Sequence, residues 1–134
     1  MTYRYSGRVP SELSKVCAHV KEICAHIKAH TDIPQENLQD LRLILSELMI
    51  NGCEHGNAND LEKMVFIDIT VDGPMISIVV KDEGDGVLWD IDSCRKKNLT
   101  SSGRGLRIVH ALAEKLLVKK TEVHCLYRIP SHRS

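Results

Sequence analysis

The sequence predicts an α+β fold, a two-layer α/β sandwich with helices packed on one face of a mixed, mainly antiparallel sheet. Three observations carry that expectation. The stretch "MVFIDITVDGPMISIVVKDEG", residues 64 to 84, holds two runs of period-two alternation around a turn. Ahead of it, Leu13, Val16, Val20, Ile23 and Ile27, then Leu38, Leu41, Leu45 and Leu48, keep the three-four spacing of amphipathic helices. Behind it, one more helical pattern gives way to alternation that closes the chain.

The elements follow in order. Residues 2 to 9 alternate well enough for an edge strand, and Pro10-Ser11 then opens the first helix. That helix repeats itself, "CAHVKEI" followed by "CAHIKAH". His26 and His30 have the i, i+4 spacing of two metal ligands, yet no carboxylate-rich helix motif accompanies them. A heptad-like helix docking on the domain or on a partner is the favoured reading. Thr31-Asp32-Ile33-Pro34 breaks the pattern and caps a second helix, which carries "SELMINGCEHGNAND" at its end. In the strand pair, Asp72-Gly73-Pro74 supplies the turn. Residues 85 to 103 read as a loop of about nineteen residues, long enough to suggest a lid or binding loop. A third helix is expected from about Gly105 to Lys115, with Leu106, Val109, Ala113 and Leu116 toward the core, and one or two strands over residues 116 to 129.

Composition narrows the function classes. A chain of 134 residues suits one domain with its own core. Its eighteen basic and eighteen acidic residues cancel, so no overall field draws it to nucleic acid or to an anionic membrane. Five cysteines, an odd number without a CxxC pair, read as reduced thiols rather than a disulfide framework or a zinc ribbon. The N-terminus lacks the apolar core of a signal peptide, and nowhere do eighteen apolar residues run together. A soluble, cytoplasmic protein is expected.

Three stretches carry candidate chemistry. Glu47, Asn51 and His55 recur every fourth residue and so share one helix face beside an apolar stripe. Asp82 ends a strand, with Gly84 and Gly86 behind it. Alternate glycines let the backbone turn sharply and let a flat ligand approach, and the carboxylate can accept its hydrogen bond. The competing readings are a solvated acidic turn and a calcium loop, but Gly84 occupies the loop's third position and no glutamate closes a twelve-residue frame begun at Asp82. Finally, "SSGRGLRIVHAL" is a glycine-rich entry to a helix, where free amides and the helix dipole favour phosphate. It is neither a Walker A sequence nor a GxGxxG dinucleotide turn.

Taken in order, ExxxNxxxHGN on a helix, DxGxG ending a strand, a lid, and GxGL opening a helix, the chain resembles the GHKL ATPase superfamily and its Bergerat nucleotide-binding fold. The resemblance covers roughly residues 38 to 129. Compactness, with no phosphoacceptor helix pair before it and no transducer domain after it, is similar to the stand-alone bacterial anti-sigma factor serine kinases. The resemblance implies one histidine-kinase-like ATPase domain over residues 1 to 134, with an ATP lid at about 87 to 103. It implies ATP and magnesium as cofactors, with Asn51 on the metal and Glu47 as the general base toward the attacking hydroxyl. His55 and Asn57 would shape the phosphate end, and Asp82 would accept from the adenine amino group. Gly84 and Gly86 would give the base and lid room. Gly103, Arg104, Gly105 and the amides near Leu106 would meet the phosphates, and Thr121 would assist adenine. Lys120 stands where the family commonly has glycine before that threonine. Arg95, Lys96 and Lys97 in the lid read as a solvated run.

The implied activity is ATP-dependent serine/threonine kinase and anti-sigma factor in partner switching. Its partners would be a sigma factor and a STAS-domain antagonist, and its state a homodimer. The competing function is a catalytically inactive module that binds ATP or ADP and sequesters a regulatory protein.

Overall fold

The computed structural model describes residues 2–84, 101–119 and 121–130. The element order is β1 (Thr2–Pro10), α1 (Leu13–His30), α2 (Gln35–Asn51), a π-helical turn (Gly52–Gly56), β2 (Met64–Asp72), β3 (Met75–Lys81), α3 (Ser101–Leu112), β4 (Lys115–Val118) and β5 (Glu122–Arg128). The five strands form a single sheet in the order β1-β2-β3-β5-β4. As expected, β1 lies at an edge. All four pairings are antiparallel, so the mixed sheet of the sequence reading becomes a wholly antiparallel one among the described strands. One of the four pairings follows from a local turn. Strands β2 and β3 form a hairpin whose two-residue connection, Gly73-Pro74, rests on Gly73 at φ +60°, a conformation that side chains with a Cβ rarely adopt.

Period-two alternation decides which face is covered. Val65, Ile67, Ile69 and Val71 on β2 are buried, as are Ile76, Ile78 and Val80 on β3 and Val123, Cys125 and Tyr127 on β5. The register lines these up in rows, Ile69 with Ile78 and Ile78 with Cys125, so one face of the sheet is apolar throughout. Val16, Val20, Ile23 and Ile27 of α1 and Leu41, Ile44, Leu45 and Leu48 of α2 belong to the same buried cluster. Helices therefore cover one face, the two-layer α+β arrangement expected. No helix among the described residues is long and apolar enough to cross a membrane.

The histidines of α1 have a packing role. The Tyr3 ring stacks on His30 with centroids 4.9 Å apart and Tyr5 on His26 at 5.6 Å, while the Tyr5 hydroxyl and His19 Nε2 are hydrogen-bonded at 2.7 Å. Aromatic contacts of this kind hold the edge strand to α1. Among the described residues, no group of three His, Cys, Asp or Glu side chains is placed to hold a metal.

Two boundaries differ from expectation. The third helix starts at Ser101 rather than near Gly105 and ends at Leu112 rather than Lys115. Glycine inside a helix costs about 1 kcal/mol relative to alanine but does not forbid it, and serines favour helix starts. At the far end, Glu114 N–H donates to Leu126 O, which draws the chain into β4. The predicted lid thus loses its last three residues to α3, and residues 85 to 100 lie outside the described residues.

Candidate functional site

The C-terminal half of α2 presents the first part of the site. Glu47 is half-buried, and burial holds its carboxyl above the usual carboxylate range, with the Glu54 carboxylate adding to the effect. One turn later Asn51 is only 3% exposed, and its side-chain Nδ2 has no hydrogen-bond partner among the described residues. An unpaired buried amide nitrogen costs roughly 1–3 kcal/mol, so it calls for a partner that binds there. The two ends of a carboxamide are nearly the same shape, so the orphaned end of Asn51 can present oxygen as well as nitrogen.

Beyond Asn51 the helix widens into a π-turn, in which Asn57 N–H donates to Gly52 O at 2.8 Å. π-bulges inside α-helices recur at functional sites. Here the helix end presses on the sheet: a Cβ at Gly52 would meet Val65 at 3.4 Å and Val80 at 3.7 Å. The regular four-residue spacing from Glu47 through Asn51 therefore does not extend to His55, which belongs to the π-turn. The His55 side chain lies outside the described residues. The chain leaves through Ala58 and Asn59, both in the left-handed region at φ 52° and 58°. For Ala58 that conformation costs about 1–2 kcal/mol.

Asn57 is 1% exposed and engaged on every side. Its Nδ2 donates to Ser11 Oγ and to Met64 O, each at 2.9 Å, and its Oδ1 accepts from Glu83 N–H at 2.7 Å. Both amide hydrogens and the oxygen are engaged within the protein, so any part Asn57 has in shaping the phosphate end runs through the framework it holds.

The second part of the site is the end of β3. Asp82 is 2% exposed and turned inward; its Oδ1 accepts from Gly84 N–H at 2.8 Å, closing a tight turn. Asp82 N–H donates to Thr121 O at 2.9 Å, so two residues thirty-nine positions apart, both assigned to adenine by resemblance, are neighbours. Thr121 is half-buried and precedes β5 directly. Gly86 lies outside the described residues.

Gly103, Arg104, Gly105 and Leu106 all fall within the first turns of α3. The amides without intrahelical acceptors are then those of Ser101 to Arg104, while those of Gly105 and Leu106 enter the i to i−4 ladder. The helix end that carries free amides thus lies about one turn before the position expected. Four features were not foreseen: Glu54 beside Glu47, the π-turn, and the contributions of Ser11 and Glu83. Gly52 and Gly56, four apart inside a helical pattern, were the available signal for the second of these.

A magnesium ion fits the residues present. Its preferred donors are oxygens, and it keeps waters and phosphates as further ligands. A single buried carboxamide with an orphaned end, beside a carboxylate left for other work, suits an ion held largely by a nucleotide.

Comparison with known proteins bears on the same residues. The family described as "Histidine kinase-like ATPase domain" matches residues 9–126. Among curated proteins, the chain is similar to the "Anti-sigma F factor" of Geobacillus thermodenitrificans (strain NG80-2), 29% identical over 97 residues, 68% of this chain and 66% of that protein. It is similar also to the "Anti-sigma F factor" of Bacillus thuringiensis (strain Al Hakam), 27% identical over 100 residues, 70% of this chain and 68% of that protein. The chain thus spans about two thirds of the length of these relatives.

Proposed function

This chain belongs to the family of histidine kinase-like ATPase domains, and from that premise we propose that it is an ATP-dependent serine/threonine protein kinase acting as an anti-sigma factor. Its substrate is a hydroxyl side chain on a STAS-domain antagonist, and its second partner is a sigma factor. The observation that carries this reading is the pairing of half-buried Glu47 with buried Asn51 one turn away, whose amide has an end without a partner among the described residues. Relatives named anti-sigma F factor support the choice of partners.

The roles follow from chemistry. Asp82 accepts from the exocyclic amino group of adenine, a charge-assisted hydrogen bond in a buried setting. Thr121, joined to it through the backbone, flanks the base, and Gly84 and Gly86 leave space for it. The free amides at the start of α3, those of Ser101 to Arg104, face the phosphates and carry the positive end of the helix dipole, while Gly105 and Leu106 continue the helix behind them. Asn51 offers its amide oxygen to magnesium; when bound, the ion supplies charge neutralisation to the phosphate oxygens. Glu47 takes the proton from the attacking hydroxyl as the new oxygen–phosphorus bond forms and the bond to the ADP leaving group breaks. Burial that raises the Glu47 pKa makes it a stronger base than a solvated glutamate.

The test is incubation of the protein with Mg-ATP and each candidate STAS-domain partner, followed by mass spectrometry of the partner. One phosphate on a serine or threonine, absent with Glu47→Ala, is the expected result. An unmodified partner that nevertheless binds the protein in the presence of ATP or ADP would favour the non-catalytic module.

A further inference from the structure

The tightest hydrogen-bonded feature near the proposed pocket is a closed ring of three residues that none of the nucleotide roles uses. Asn57 donates to Met64 O at 2.9 Å, Met64 N–H donates to Glu83 Oε1 at 2.6 Å, and Glu83 N–H donates to Asn57 Oδ1 at 2.7 Å. The ring is anchored from outside, since the second Asn57 amide hydrogen goes to Ser11 Oγ, and Ser11 is itself tied to Lys63 O through both its hydroxyl and its N–H. It joins the end of the π-turn, the start of β2 and the residue next to Asp82.

The consequence falls on the Asp82 turn. Three successive amides are held there: Asp82 N–H by Thr121 O, Glu83 N–H by Asn57 Oδ1, and Gly84 N–H by the Asp82 carboxylate. Only the middle one depends on a side chain from another element. Releasing it removes the tie by which the end of the π-turn orients this turn, and with it one constraint on the angle of Asp82. Asparagine suits the post because it alone supplies two donors and an acceptor on so short a stem.

We propose that Asn57 is a positioning residue for base recognition, which through its ring with Met64 and Glu83 fixes the angle of Asp82 and so sets the preference for adenine over guanine. The inference rests on the nucleotide reading above. An acceptor carboxylate held at one angle favours an amino group at the six-position of a purine and repels a carbonyl there. A carboxylate free to turn away discriminates less.

The experiment measures dissociation constants of Mg-ATP and Mg-GTP by calorimetry for the wild type, Asn57→Ala, Glu83→Ala, and Ile44→Val as a core variant on α2 that destabilises without touching the turn. Expected is an ATP preference that falls by about tenfold in Asn57→Ala and about threefold in Glu83→Ala, the equivalent of one hydrogen bond or less. Ile44→Val should keep the wild-type ratio, because general loosening weakens both nucleotides together. Glu83 is exposed, so its variant carries the test if Asn57→Ala does not fold. A wild type that prefers ATP, beside folded ring variants with an unchanged preference, overturns this inference alone. A wild type that binds neither nucleotide contradicts the nucleotide reading itself and the inference with it.

Discussion

Replacing Glu47 by glutamine separates chemistry from stability. The exchange keeps volume and shape while removing a charge that the fold disfavours. Burial and the neighbouring Glu54 carboxylate both raise the Glu47 pKa above its unfolded value near 4.5. A carboxyl with a raised folded pKa contributes favourably below the unfolded value, where it is protonated in both states. That contribution is lost as pH rises through the folded value. At pH 7.5, well above the unfolded value, the wild type carries the cost of a part-buried charge that Glu47→Gln does not. With the side chain half exposed and screened by solvent, the gain is under about 1 kcal/mol, a rise in Tm of about 1–4 °C. Phosphoryl transfer to the partner should fall by about a hundred- to ten-thousand-fold, the usual contribution of a positioned base. Nucleotide affinity should stay within about threefold, because the proposed role sets the carboxylate against the attacking hydroxyl and not against the nucleotide. Thermal melts of both proteins from pH 4 to 8, together with transfer assays, check this. The stability advantage should shrink toward pH 4. A glutamine variant less stable than wild type at pH 7.5, or an advantage that does not vary with pH, would refute the burial argument; transfer at the wild-type rate would refute the base assignment.

Other outcomes follow from single groups. Asp82→Asn keeps the acceptor for Gly84 N–H but places an amide toward the adenine amino group; ATP affinity should drop by about 1.5–3 kcal/mol in calorimetry, with the fold intact by circular dichroism. Ala58→Gly relieves a left-handed alanine at φ 52° and should raise stability by up to about 1 kcal/mol in urea titration, less the entropy glycine adds to the unfolded chain. In native protein at pH 8, iodoacetamide should label exposed Cys17 ahead of Cys24, Cys53 and Cys125, as read by peptide mass spectrometry. Cys125 should react last because burial pushes its thiol up to about 12.

Much of the architecture was legible because each buried element carries one clear period. Val65, Ile67, Ile69 and Val71 alternate without a break, and Leu38, Leu41, Leu45 and Leu48 repeat without a competing signal, so burial follows the letters directly. The start of α3 was misplaced because glycine normally marks loops, and propensity does not reveal when a helix runs through two of them. The pairing of Asp82 with Thr121 is non-local. No pattern along the chain announces a backbone bond across thirty-nine positions, although the motif resemblance named both residues. Asn57 shows the opposite limit. Its place in HGN marked it as part of the site, but only the positions of Ser11, Met64 and Glu83 show that its polar atoms serve the framework. The π-turn was hidden for a related reason, since a change from i−4 to i−5 pairing over Gly52–Gly56 leaves no mark in sequence spacing.

The central claim is that an adenine nucleotide sits between Asn51 on α2 and Asp82 at the end of β3. Its most direct test is a thermal melt of the purified protein with Mg-ATP, with Mg-GTP and with magnesium alone. ATP at about a hundred times its dissociation constant should stabilise the fold by about 2.7 kcal/mol and raise Tm by several degrees, with GTP well behind at the same concentration. Equal shifts with both nucleotides, or no shift at millimolar ATP, would contradict it.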